Sequence, residues 1–183
     1  MNTKTALFFS VFSIILSTAT ANANLLFDIY AGGTYGTGGY TLFADDDHIS
    51  KSSQSYGAVL GIDIPLFRLE AEYNHINADY MALNIGMVNG YFKLPTPVVK
   101  PYIGVGVGTT FESKYEPNDT SSISIDNTTA YQGMLGITLN IPVIPFNIDV
   151  EGRTLYIPNA MELATIKTDV LQYEARVKLR YVF

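Results

Sequence analysis

The sequence predicts an all-β fold: an eight-stranded antiparallel up-and-down β-barrel that crosses a membrane. Three observations predict it. Side-chain character alternates with a period of two, short proline-bearing turns alternate with longer polar connections, and aromatic residues collect at both ends of the apolar faces.

The chain has 183 residues, room for one domain. Its opening stretch reads as a secretory signal. Lys4 supplies a positive start, Ala6 to Leu16 an apolar run, and Ala21-Asn22-Ala23 a small-x-small cleavage pattern. Residues 1–23 are therefore expected to be a cleaved signal peptide and 24–183 the barrel. The apolar run is short for an anchor helix, which needs about 20 residues. Cysteine is absent, so an exported chain of this kind is not held by disulfides. The net charge of −6, or −7 once Lys4 is removed, excludes a basic nucleic-acid-binding footprint.

Eight segments carry the alternation, at 25–35, 54–64, 67–76, 80–93, 101–111, 129–140, 146–156 and 171–183. The last shows it best. Leu171, Tyr173, Ala175, Val177, Leu179, Tyr181 and Phe183 fall on one face, and Gln172, Glu174, Arg176, Lys178 and Arg180 on the other. No helix would separate the two classes this way. Proline marks the short turns at Pro65, at Pro95 and Pro97, and at Pro142 and Pro145. The connections 36–53, 112–128 and 157–170 are long and polar, with a shorter one near 74–79. Short turns at one end and long loops at the other describe a membrane barrel.

The aromatic positions separate a membrane barrel from a soluble one. On the apolar parity of each segment, the loop-side ends carry Tyr35, Tyr56, Tyr73, Phe111, Tyr131, Tyr156 and Tyr173. The turn-side ends carry Phe27, Phe67, Tyr91, Phe146, Tyr181 and Phe183. On the first and the last two segments these ends lie 8 to 10 residues apart. At about 3.3 Å per residue and a tilt of about 40°, that spans roughly 20–25 Å, close to the apolar band between two aromatic girdles. The parity places Asn89 toward lipid, which suggests a bulge in that segment.

The opposite face mixes Gly57, Gly61, Gly104, Gly106, Gly108 and Gly136 with charge. Its seven acids are Asp28, Asp63, Glu70, Glu72, Asp149, Glu151 and Glu174; its five bases are Arg68, Arg153, Arg176, Lys178 and Arg180. Eight strands leave an interior that side chains just fill. Glycines facing long charged residues, and acids paired with bases, are the expected packing.

The terminal run from Tyr173 to Phe183 resembles the C-terminal strand of outer-membrane barrels, alternating and ending in Phe. Lys100-Pro101-Tyr102-Ile103-Gly104-Val105-Gly106-Val107-Gly108 is similar to the Pro-Tyr-x-Gly-x-Gly strand of OmpA-like and opacity-type surface proteins. Met87-Val88-Asn89-Gly90-Tyr91-Phe92 resembles the strand before it in those proteins. The resemblance covers the chain from Asn24 onward. It implies bacterial outer-membrane localisation, with Tyr173, Val177, Leu179, Tyr181 and Phe183 as the signal read by the barrel-assembly machinery. It also implies outer-membrane lipids and lipopolysaccharide as surroundings, and no shared catalytic residues. With Phe183 last, no periplasmic peptidoglycan-binding domain is expected to follow.

Other candidates carry plainer readings. Asp45-Asp46-Asp47 has hard-cation ligands but lacks the glycine and spacing of an EF-hand loop, and reads as a solvated run. His48-Ile49-Ser50 is similar to the His-x-Ser pairing of lipid A deacylases but falls in an expected loop, without the rigid support a nucleophile needs. His75 reads as an interfacial side chain. The leading expectation is a non-enzymatic, monomeric outer-membrane barrel without cofactor or metal. It would serve envelope integrity or display acidic loops, as a surface antigen, for adhesion to a host or matrix ligand. The alternatives are a lipid-modifying enzyme, a narrow small-solute channel, and a soluble lipocalin-like carrier.

Overall fold

The computed structural model describes residues 27–44, 47–78, 81–115, 123–125, 128–141, 144–163 and 166–183. The signal peptide expected at 1–23 lies outside them. In chain order the strands are β1 (Asp28–Ala44), β2 (Asp47–Asp63), β3 (Phe67–Ala78), β4 (Met81–Lys93), β5 (Val99–Tyr115), β6 (Ile123–Ile125), β7 (Thr129–Asn140), β8 (Phe146–Leu163) and β9 (Ile166–Val182). All pairs are antiparallel. The order β4-β3-β2-β1-β9-β8-β7-β5 is closed by pairing of β4 with β5, giving an eight-stranded barrel. The short β6 adds only to the end of β5. Closure leaves the wall without an edge, so its backbone groups are satisfied strand to strand.

The ladder fixes the barrel's shape. Stepping across paired residues from Tyr30 leads through Gly61, Glu70, Asn89, Gly106, Gln132, Leu155 and Gln172. The path returns to β1 at Tyr40, ten residues beyond its start. A stagger of about 33 Å against a sheet width of about 38 Å, measured perpendicular to the strands, tilts the strands by roughly 40°.

The two faces differ sharply. Among the described residues, the outer band between the aromatic ends holds no Asp, Glu, Lys or Arg, and its large side chains stand in the open: Val105 is 71% exposed and Leu135 67%. Tyr35, Tyr56, Tyr73, Tyr131, Tyr156 and Tyr173 edge the band on the loop side. Phe27, Phe67, Phe92, Phe146, Tyr181 and Phe183 edge it on the turn side. Neighbouring rings touch within this lower row, Phe67 with Phe92 at 5.6 Å and Tyr181 with Phe146 and Phe183 at 5.2 and 5.1 Å. Val177, Leu179 and Phe183 point outward, while Arg176, Lys178 and Arg180 are buried inside.

Three expectations require correction. The connections expected at 36–53 and 157–170 are largely hairpin, because β1 continues to Ala44 and β2 begins at Asp47, and β8 runs to Leu163 and β9 from Ile166. Part of 112–128 is likewise strand, in β5 and β6. Beyond the aromatic row the sequence mixes polar and apolar residues without a period of two, so the alternation stops while the ladder continues.

The second correction is the parity of β4. Asn89 is fully buried inside the barrel, and Tyr91 is buried beside it rather than standing in the outer row; Phe92 takes that place. The third is the bulge, since the register shifts between Ala82 and Asn84 and is regular at Asn89. The cause is that β4 is apolar on both faces. Leu83, Ile85 and Met87 fill the interior, where apolar packing was not expected.

The β4 register yields a direct test. In proteoliposomes, a lipid-borne quencher should reach fluorophores on Val88→Cys and Phe92→Cys but not on Met87→Cys. Quenching at position 87 alone would restore the opposite register.

Candidate functional site

Alternation sends every second residue of each strand inward, and a stagger of ten residues makes that space wide enough to need filling. The result is a column of paired charges. Five acids, Glu70, Glu72, Asp149, Glu151 and Glu174, and five bases, Arg68, Arg153, Arg176, Lys178 and Arg180, are all buried in it. Of the twelve interior charges singled out in the sequence, the structure gathers these ten in the column and places Asp28 and Asp63 at the turn-side mouth.

At the turn end, Asp149 takes two hydrogen bonds from Arg180, through Nε at 2.8 Å and Nη2 at 2.9 Å, and one from Arg68 Nη1 at 3.0 Å. Thr138 Oγ1 accepts from both arginines, at 3.0 and 3.4 Å. One level further in, Lys178 Nζ donates to Glu70 Oε1 at 2.8 Å, and the Tyr30 and Tyr91 hydroxyls donate to the same carboxylate at 2.6 and 2.8 Å. Arg176 bridges two acids, reaching Glu151 through Nε and Glu72 through Nη1, both at 2.5 Å. Tyr102 Oη donates to the other oxygen of Glu151 at 2.9 Å. Arg153 then joins Glu72 at 3.5 Å to Glu174 at 2.7 Å. Ser55 Oγ also donates to Glu174, at 2.8 Å.

The tyrosines serve two chemistries at once. Their hydroxyls satisfy carboxylates while their rings hold cations: the Arg68 guanidinium lies 5.8, 5.2 and 5.1 Å from the rings of Tyr30, Tyr91 and Tyr102. Arg180 lies 4.6 Å from Tyr30, and Lys178 5.0 Å from Tyr91. Glycines make room for these rings. A Cβ at Gly136 would stand 2.6 Å from Tyr102 Oη, and one at Gly61 or Gly104 would collide with Tyr30 or Tyr91.

Toward the loop end the filling turns apolar. Met87, Ile85 and Leu83 of β4 pack with Ile76, Ala130, Leu155, Ile157 and Val170, residues of β3, β7, β8 and β9. The gap left between these side chains, Tyr40 and Gln172 is about 10 Å³, barely one water, with a mainly apolar lining. This layer is a septum across the barrel above the charges.

Sequence reasoning missed several members. Lys93 was hidden by the wrong parity of β4; it pairs with Asp63 at the turn-side mouth, where Asp63 also meets Arg180 at 3.4 Å. Asn89 and Gln132 bind each other at 2.6 Å, and Asn89 donates to Glu72 at 2.7 Å. Tyr30 and Tyr102 were findable, since each shares the parity of the inward positions on its strand. Asn74, fully buried, has no hydrogen-bond partner among the described residues on either side-chain atom.

Other sequence candidates fall elsewhere. Asp45 and Asp46, and the side chains of Asp47, His48 and Ser50, lie outside the described residues. His75 faces outward, its Nδ1 2.8 Å from Asn84 Oδ1 and its ring 4.9 Å from that of Tyr56. Because Tyr73 Oη donates to that same Asn84 oxygen at 2.9 Å, His75 Nδ1 is placed as a donor too. Tyr173, Val177, Leu179, Tyr181 and Phe183, expected from the sequence to form an assembly signal, stand exposed on the outer wall. Among the described residues no group of three or more His, Asp or Glu is placed to hold a metal ion.

No protein-family model matches the chain, and no curated protein matches it in sequence. Solved structures do match in fold. Neisserial surface protein A (NspA) superposes with a TM-score of 0.62 at 14% identity, over 82% of this chain and 95% of that one. The N-terminal β-barrel domain of Pseudomonas aeruginosa OprF gives a TM-score of 0.54 at 12% identity, over 82% and 97%. With its closed antiparallel wall and apolar outer band, the chain has the fold of the small eight-stranded outer-membrane barrels.

Proposed function

We propose that this chain is a bacterial outer-membrane protein whose barrel is a closed, non-enzymatic wall element carrying hairpins to the cell surface. The observation that carries this reading is the inversion of an ordinary soluble fold: among the described residues, an uncharged apolar band outside and eleven buried charges inside. A soluble carrier would leave that band in water, an exposed apolar surface far larger than soluble monomers tolerate. In a bilayer the same band meets hydrocarbon, and the two aromatic rows sit at its interfaces.

In this reading the signal peptide ends at Ala23, and the mature chain begins at Asn24. Tyr173 to Phe183 present the outward face that the assembly machinery reads. Outer-membrane lipids and lipopolysaccharide surround the wall. The hairpins β1–β2 and β8–β9, which extend past the loop-side tyrosines, are the parts available for adhesion or a host or matrix ligand.

A plug fits the interior better than a channel. The five acids and five bases neutralise one another, and the apolar septum lies across the path above them. Moving an ion through would mean both breaking charge-assisted bonds and entering an apolar layer.

Three experiments test the reading. The mature protein should start at Asn24, fractionate with the outer membrane, and run faster unheated than boiled on a cold detergent gel; periplasmic recovery without detergent would overturn it. In planar bilayers the folded barrel should carry no steady unitary current, whereas reproducible steps would favour the channel. Cellular lipid A and phospholipid acylation should be the same with and without the protein. A difference that disappears in His48→Ala or Ser50→Ala would make it an enzyme.

The network also has an energetic signature. Lys178→Met leaves Glu70 as a buried charge without its cation, and should lower unfolding stability in detergent by about 3–5 kcal/mol. Glu70→Gln combined with Lys178→Met should cost clearly less than the two single changes added together. Full additivity in urea titrations would mean that the pair is not coupled.

A further inference from the structure

Two buried polar side chains stand apart from the charge network. Seven buried side-chain nitrogen and oxygen atoms among the described residues make no hydrogen bond, and four of them belong to Asp63, Arg68, Arg153 and Glu174, which are ion-paired. The other three are Thr34 Oγ1, Asn74 Nδ2 and Asn74 Oδ1. These two side chains are therefore without any polar partner among the described residues, although both are buried. A buried amide that bonds to neither protein nor water is rare, because it bears the full cost of its own desolvation.

Their positions are adjacent. Thr34 of β1 and Asn74 of β3 both lie directly across the ladder from Gly57 of β2. A Cβ at Gly61, Gly104 or Gly136 would collide with a tyrosine ring, whereas the side-chain atom nearest to one at Gly57 is the Thr34 hydroxyl, at 3.1 Å. Gly57 thus forms a recess with an unsatisfied group on each side. Strands about 4.8 Å apart put the Thr34 and Asn74 backbones roughly 9–10 Å from each other. With the Thr34 hydroxyl already over Gly57 and the Asn74 amide reaching about 3 Å from its backbone, about 5 Å remains. That is the span of one water with a hydrogen bond at each end.

The surroundings select a neutral occupant. Thr34 is paired across the ladder with Lys178, which disfavours a cation. Glu72, the inward residue before Asn74 on β3, disfavours an anion. Both are already matched, Lys178 by Glu70 and Glu72 by Arg176, so an added ion of either sign would lack a counter-charge. On the loop side stand Ile85, paired with Asn74, and Ile76, the next inward residue on β3; both belong to the apolar septum.

We propose that Thr34 and Asn74 bind internal water over Gly57, one molecule bridging the hydroxyl to the amide and a second in contact with it serving the amide's other atom. The water is trapped between the septum and the ion network. The trapping rests on the closed-plug reading given above; the presence of the water does not.

The test is water-selective NMR on the isotope-labelled, folded barrel in deuterated detergent. Water should show contacts to the Gly57 α protons and the Asn74 side-chain amide, with opposite signs in NOE and ROE spectra, the mark of water that stays far longer than the hydration shell does. Thr34→Val removes a hydroxyl that could relay the signal, and should leave the Asn74 contact in place but weaker. Adding Asn74→Leu should abolish the contact at Gly57. Both changes are close in shape to the parent residues, and both variants should keep its heat-modifiable mobility. Absence of these contacts in a barrel that carries no current would overturn the internal water and leave the plug standing. Contacts of the same sign in both spectra would overturn the trapping and count against the plug as well. A Gly57 contact that survived both substitutions would place the water elsewhere and overturn the assignment.

Discussion

The structure depends on charge neutrality in a space that water barely enters. A buried acid or base without a partner costs several kcal/mol, and a barrel wall in hydrocarbon offers no route by which such a group could turn outward. The interior meets this constraint with five buried acids and six buried bases, the sixth base, Lys93, being held by the half-buried Asp63, so that each touches at least one opposite charge. Arg176 is central because it bonds acids from two other strands, Glu72 of β3 and Glu151 of β8. The ion pairs thereby cross the lumen instead of merely following the ladder. They tie opposite walls together, a role that apolar side chains of the same volume would fill with less directional control.

That column imposes its own packing problem, and the stagger sets its scale. A ten-residue shift opens a lumen too wide for short side chains, so tyrosines and arginines reach toward its middle. Their rings need room, which the directly paired position on the neighbouring strand supplies as glycine: Gly61 under Tyr30, Gly104 under Tyr91, Gly136 under Tyr102. In each case a methyl group would strike the ring. The glycines that look like a weakness in strand-forming sequence are therefore recesses for large residues. Tyrosine suits the position better than phenylalanine, since its hydroxyl closes a carboxylate's remaining valence while its face takes a guanidinium.

The sequence was most legible where one face of a strand is purely apolar and the other purely polar. β9 meets that condition from Leu171 to Phe183, and its parity, its buried charges and its exposed terminal ring all follow from alternation. β4 does not meet it. Tyr91 and Phe92 are adjacent aromatics of opposite direction, and Leu83, Ile85 and Met87 compete with Val88 for the outer face. What decides between them is the septum, which needs inward apolar residues from several strands at one height and so cannot be seen within any single strand. Lys93 disappeared from the sequence reading through the same error. The extensions of β1, β2, β8 and β9 were lost for a different reason: past the tyrosine row polar and apolar residues no longer alternate in the sequence, and a ladder without that contrast leaves no period-two trace in composition.

The two ends of the lumen are built for different tasks. Toward the loops, the apolar layer closes the interior with side chains from β3, β4, β7, β8 and β9, leaving too little room for more than one water. Toward the turns the interior stays polar and open, and the pairing that is complete in the middle becomes partial at the rim, where Asp28 and Lys100 remain unmatched. If filling the lumen were the only demand, the economical rim would place an acid beside a base, as the next level in does with Asp149, Arg68 and Arg180. Asp28 instead stands across the ladder from Asp63, a like-charge pairing that costs cross-strand stability and is offset by the three cations, Lys93, Arg68 and Arg180, that gather on Asp63.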